Sequence, residues 1–162
     1  MTLQSLSLAE AFLRVGLAVF FGFIIGFDRD RKNKPVDLRA YIIVAVATCV
    51  LCLLSSEMVM SADKLNGADY EFDLARILSG ALTGIGFLGA GAIIKTSDNV
   101  VIGSATGASI WACGVIGICL GFGYYTLAFL CFLAVFLTLF LGGFFFENFM
   151  GKTDHEEKTK LS

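Results

Sequence analysis

The stretch Ile77-Leu78-Ser79-Gly80-Ala81-Leu82-Thr83-Gly84-Ile85-Gly86-Phe87-Leu88-Gly89-Ala90-Gly91-Ala92-Ile93-Ile94 decides the fold. It carries no charge. An apolar run of about 17 to 25 residues is the length that crosses a hydrocarbon core as a helix. Lipid offers no partner to a backbone N–H or C=O, so only helices and closed barrels span it. A barrel strand would alternate apolar and polar side chains, and this stretch does not. It predicts a membrane helix. Gly80 and Gly84, four apart, share one face and leave a flat strip that another backbone can approach.

Four further runs flank it, at Leu8–Phe27, Ala40–Ser56, Val100–Leu120 and Tyr124–Phe146. The chain is 57% hydrophobic and 16% charged, where soluble domains carry about 25% charged residues. Its mean hydropathy is +0.81. The composition predicts an all-α integral membrane protein, a bundle of about five transmembrane helices, in contact with the lipid bilayer. Residues 1–150 form one transmembrane domain and 151–162 a short, polar, disordered cytoplasmic tail. The first run lacks a basic leader and carries Glu10 near its start, so it is expected to be retained as a span rather than cleaved.

Loop charge sets the orientation. The first loop holds Arg29, Arg31, Lys32, Lys34 and Arg39; Lys95 marks the third; Lys152, Lys158 and Lys160 lie in the tail. Placing these in the cytoplasm puts nine of twelve basic residues inside, with the amino terminus outside and the carboxyl terminus inside. The second loop is then external and acidic, with Glu57, Asp63, Asp69, Glu71 and Asp73.

Several chemistries are excluded. His155 is the only histidine, so neither a histidine metal site nor a catalytic triad can be assembled. No catalytic residue, cofactor site or metal site is expected, and no basic-aromatic patch suggests nucleic acid. Gly84-Ile85-Gly86-Phe87-Leu88-Gly89 matches G-x-G-x-x-G, but a dinucleotide site needs a preceding strand and an acid about twenty residues on, where Ser109 stands. Cys49 and Cys52 form a C-x-x-C inside an apolar run, with no charged neighbour to activate a thiol.

The polar residues at the helix ends are the candidates for function. Glu10 and Arg14 are four apart, Asp73 and Arg76 three apart, and each pair shares a helix face. Arg14, about 9 Å into its helix, must snorkel, pair or face the bundle interior. In the interior, Glu10 or Asp73 is its natural partner. At the other end, Asp28, Arg29, Asp30, Arg31, Arg39 and Lys95 suggest a polar cluster. Ser79, Thr83, Thr106 and Ser109 are expected to make interhelical hydrogen bonds. Trp111, mid-span, should need a protein partner for its indole N–H. Gly80, Gly84, Gly86, Gly89, Gly91, Gly103 and Gly107 are expected to pack helices, with further G-x-x-x-G pairs at Gly22/Gly26 and Gly117/Gly121.

Asp73-Leu74-Ala75-Arg76-Ile77, Ser79, the run Gly84 to Gly91 and Lys95 together resemble the signature of the MgtC/SapB family of bacterial membrane proteins. Val101 to Trp111 continues the likeness, and Gly26-Phe27-Asp28-Arg29-Asp30 and Leu38-Arg39-Ala40 are similar to its first turn and second-helix opening. The likeness covers roughly residues 8 to 135. Leu74, Ala40 and Gly80 depart from the family's usual Pro, Thr and longer polar residue. Many family members append a soluble ACT-like domain, and the resemblance here is to the membrane domain alone.

The resemblance implies a bacterial inner-membrane protein, not an enzyme, concerned with magnesium or ion homeostasis and membrane energetics. Low-magnesium or intracellular survival and restraint of the F-type ATP synthase are its associated roles. A membrane-protein partner or a homo-oligomer is expected, with the Gly-rich third and fourth spans as the recognition surface. A small homo-oligomeric ion channel or transporter is the alternative, drawn from the acidic external loop and the possibility of five helices surrounding a pore. An intramembrane enzyme ranks lowest, because no nucleophile–base pair is visible.

Overall fold

A computed structural model describes residues 6–64, 73–95 and 100–159, with side chains described for 6–61, 73–95 and 100–142. Asp69 and Glu71 of the acidic loop, Asp98, and the tail residue Lys160 lie outside the described residues. Five helices and one short hairpin follow in order: α1 (Leu8–Arg31), α2 (Leu38–Lys64), α3 (Leu74–Gly91), β1 (Ile94–Lys95), β2 (Val101–Ile102), α4 (Ser104–Gly121) and α5 (Tyr125–Thr159). All five helices are long and apolar enough to cross a membrane.

Local signals explain where the helices start and stop. Ser7 caps α1, its hydroxyl accepting from the Glu10 N–H at 3.2 Å, and Glu10 lies in the first turn where the helix dipole favours an acid. Asn33 ends α1 in the left-handed region (φ 50°). Its N–H donates to Asp30 O and that of Lys34 to Arg29 O, a Schellman closure. The same closure ends α4. Gly123 (φ 82°) donates to Leu120 O, and Tyr124 to Cys119 O at 2.8 Å.

The elements differ from the apolar runs in three ways. Helix α2 continues past Ser56 to Lys64, because hydropathy marks where lipid ends and not where backbone hydrogen bonding ends. Helix α5 continues to Thr159, so residues 151–159 extend a helix and do not form the expected disordered tail. No proline interrupts that stretch. Ala92 caps α3, and Ile94 and Lys95 pair with Ile102 and Val101 in an antiparallel hairpin. The third and fourth runs therefore lose their adjoining ends to strand.

Helix α4 is the centre of the bundle, and the other four pack around it. Glycine seams set the close crossings. A Cβ at Gly22 would lie 2.9 Å from Ile42 Cα, joining α1 to α2. At Gly117 it would overlap the Thr48 hydroxyl and the Ala45 carbonyl, and at Gly121 it would lie 2.6 Å from Cys49 O, joining α4 to α2. Gly89 and Gly107 face each other, a Cβ on Gly107 lying 2.5 Å from Gly89 O, and join α3 to α4. On the opposite flank Phe21 of α1 stacks on Phe132 of α5, ring centroids 4.6 Å apart.

Helix α3 uses only one narrow face. Ile85 and Gly89 are buried against α4, whereas Gly80, Gly84, Gly86 and Gly91 would meet nothing within 4 Å. Those four do not pack helices among the described residues. The hydrophobic residues on the outside of the bundle, including Phe12, Leu130 and Phe140, present the surface that lipid contacts.

Candidate functional site

Two buried arginines mark the two ends of the bundle. Arg14 and Arg29 both belong to α1, fifteen residues or roughly 22 Å apart at 1.5 Å per residue. They are 8% and 6% exposed, and a buried charge in a membrane protein is a candidate for function.

Arg14 turns inward and closes the turn between α4 and α5. Its Nη1 donates to Gly121 O at 2.7 Å, its Nε to the Tyr125 hydroxyl at 3.2 Å, and its Nη2 to the Glu10 carboxylate. Gly121 is the last residue of α4, so the guanidinium satisfies a terminal carbonyl at the negative end of that helix. Gly123 is favoured here by its positive φ, and a Cβ would also crowd the Arg14 guanidinium, 2.9 Å from Nη2. Of the two partners expected for Arg14, Glu10 is present and Asp73 is not. Asp73 caps α3, accepting from Arg76 N–H at 3.0 Å, and its carboxylate lies 3.7 Å from Arg76 Nε on an exposed surface.

Arg29 lies at the other end. Its Nη2 donates to Thr106 Oγ1 at 3.0 Å in the first turn of α4. Tyr41 of α2 and Ser109 of α4, 0% and 2% exposed, complete this corner. The expected cluster of Asp28, Arg29, Asp30, Arg31, Arg39 and Lys95 is not one unit. Helical geometry turns consecutive residues about 100° apart, so only Arg29 points inward. Asp28 pairs with Lys32 at 2.9 Å along the helix surface, and Arg39 lies 3.9 Å from Asp37, largely exposed. Asp30, Arg31 and Lys95 are exposed as well.

Other expectations are also revised. The hydroxyls mostly bond within their own helices: Thr83 to Ser79 O at 2.7 Å, and Ser109 to Ala105 O at 2.8 Å and Thr106 O at 2.9 Å. Thr106 alone of these reaches another helix, through Arg29. Ser79 is exposed. Gly103 does not extend a packing strip; it is the N-cap of α4 at φ 91°, where a side chain would be strained and would overlap Ala92 O. Trp111 is 45% exposed on the outer flank of α4, with no hydrogen-bond partner for its indole among the described residues. Trp111→Phe is therefore expected to shift the detergent unfolding transition by no more than about 0.5 kcal/mol, the scale of surface substitutions.

Five membrane-length helices around a glycine-seamed core, with buried arginines at both ends, define a multi-pass α-helical membrane protein. The family model described as "MgtC family" matches residues 15–147, and the chain belongs to that family. It is 32% identical over 130 residues to Protein SapB of Bacillus subtilis, covering 80% of this chain and 55% of that protein. To the protein of Escherichia coli K12 described as "Putative magnesium transporter YhiD" it is 33% identical over 119 residues, covering 74% and 54%. To Protein MgtC of Brucella abortus it is 33% identical over 106 residues, covering 65% and 40%. The chain thus spans about half the length of the first curated relatives it matches. No solved structure matches.

Proposed function

We propose that this protein is a non-enzymatic membrane protein of ion homeostasis, magnesium foremost, that acts by docking another membrane protein against the open face of α3. The bearing on ion handling comes from one relative whose name refers to magnesium transport and from membership of the MgtC family. Restraint of an F-type ATP synthase is one such docking function within this reading. The membrane is the bacterial inner membrane, with the amino terminus outside and the carboxyl terminus in the cytoplasm, as the loop charges favour.

The observation that carries the proposal is the two-sidedness of α3. One face is locked to α4 through Ile85 and the Gly89–Gly107 contact, while Gly80, Gly84, Gly86 and Gly91 on the rest of the helix meet nothing. Small residues allow close backbone approach, which drives helix association in lipid where apolar burial contributes little. Helix α4, in contrast, is the core helix, so recognition falls to α3 rather than to both.

Gly84→Leu separates docking from folding. The open surroundings predict an unfolding midpoint near that of the wild type, with loss of the partner in pull-downs from mildly solubilised native membranes. Failure of the wild type to retain any stoichiometric partner would sink the proposal, as would a Gly84→Leu variant that retains it fully.

A further inference from the structure

Arg29 Nε and the Tyr41 hydroxyl are buried polar atoms with no hydrogen-bond partner among the described residues. Both side chains are more than nine-tenths buried. Arg29 is held by one bond, from Nη2 to Thr106 Oγ1 at 3.0 Å. Among the described residues it has no carboxylate partner: Asp28 is committed to Lys32, and Asp30 is exposed on the outside of α1. Tyr41 lies beside Ser109 and Arg29, but its hydroxyl meets hydrogen-bond geometry with neither. Ser109 has already directed its own hydroxyl proton to the carbonyls of Ala105 and Thr106.

The charge arrangement around Arg29 makes this more pointed. Thr106 lies in the first turn of α4, at the positive end of that helix, and the N-cap Gly103 has no side chain to cover the free N–H groups. A guanidinium directed at a helix N-terminus places like signs together. Burial in a low-dielectric bundle worsens that arrangement unless a negative charge lies between them. Thr106 accepts from Arg29, and no acceptor for its own hydroxyl proton is found among the described residues.

We propose that this corner is an occluded binding site for a small monovalent anion of halide size, held by Arg29 Nε–H, the hydroxyls of Tyr41 and Thr106, and the positive end of α4. The donors are few and enclosed, which suits a single-atom anion better than an oxyanion with several acceptors to satisfy. The site lies among α1, α2 and α4, away from the open face of α3, and its test is independent of docking.

Purified full-length chain in detergent, exchanged among sodium chloride, bromide and gluconate at equal ionic strength, gives the test. Chloride and bromide should raise the unfolding midpoint over gluconate by on the order of 5 °C with a saturable dependence. The ³⁵Cl resonance should broaden and sharpen again on adding bromide. Arg29→Gln should abolish both effects. Tyr41→Phe removes only a hydroxyl and should at least halve the shift, so the proposal remains testable if Arg29→Gln does not fold. Equal midpoints in the three salts without ³⁵Cl broadening would overturn the site. So would an undiminished chloride effect in Tyr41→Phe, or an equal effect of sulfate, which would assign the response to the exposed basic loop.

Discussion

Arg14→Leu is expected to lower the stability of the bundle by about 2–4 kcal/mol, read as an earlier midpoint in sodium dodecyl sulfate titration of the detergent-solubilised protein. Three contacts are lost together: those to Gly121 O, the Tyr125 hydroxyl and Glu10. The Gly121 carbonyl contributes most, because its bond to Arg14 is buried and charge-assisted. Glu10 contributes less, since its side chain is 41% exposed and regains water when the arginine is gone. Two milder variants should order themselves accordingly. Glu10→Gln should cost no more than about 1 kcal/mol. Arg14→Lys should fall between the two, because one ammonium cannot reproduce the fork that reaches three separate acceptors. A midpoint for Arg14→Leu within error of the wild type would mean that the guanidinium snorkels to the surface.

Gly117→Ala should cost as much or more, about 3 kcal/mol or outright loss of folded protein, measured in the same titration. Its Cβ would overlap both the Thr48 hydroxyl and the Ala45 carbonyl of α2. The hydroxyl can rotate away at the expense of its bonds to Val44 O and Ala45 O. The carbonyl belongs to the α2 backbone and cannot move without shifting the helix. Gly16→Ala is the matched control. Nothing lies within 4 Å of that position, and alanine is the better helix former by roughly 0.5–1 kcal/mol, so this variant should be neutral or slightly stabilised. Equal effects at Gly16 and Gly117 would show that glycine matters here for its backbone and not for the α2–α4 seam.

The MgtC/SapB likeness expected from Asp73 to Lys95 and from Gly26 to Asp30 agrees with the family match over residues 15–147. The candidate site was legible only in part. Pairing of Arg14 with Glu10 follows from their spacing of four, which is a property of one helix. Tyr125 and Gly121 lie more than a hundred residues away in the chain, and no local pattern links them to Arg14. A Gly-Phe-Gly-Tyr-Tyr turn between two apolar runs was the one available signal that something polar had to close α4. The polar cluster expected around Arg29 is not one unit, because adjacent charges in sequence project in different directions from a helix. The expected interhelical role of the hydroxyls holds at Thr106, which accepts from Arg29, and not at Thr83 or Ser109, because a serine or threonine in a helix can satisfy itself on the carbonyl three or four residues back.

What the sequence determined by itself is what each segment must do alone in lipid. A long uncharged run has to form a helix because no other spanning structure satisfies its backbone, and the caps at Ser7, Asp73 and Gly123 end or begin helices through bonds a few residues long. The tertiary structure decided which glycines are seams and which are open. Gly89 and Gly84 are chemically identical and five residues apart on one helix, yet one touches Gly107 and the other meets nothing. It also decided that Arg29 points into a corner with Tyr41 and Thr106 while Asp28 and Asp30 do not. The physical reason is common to both cases. A glycine's contact, or a charge's partner, is a property of the helix packed opposite, and that helix is chosen by the assembled bundle rather than by neighbours in the chain.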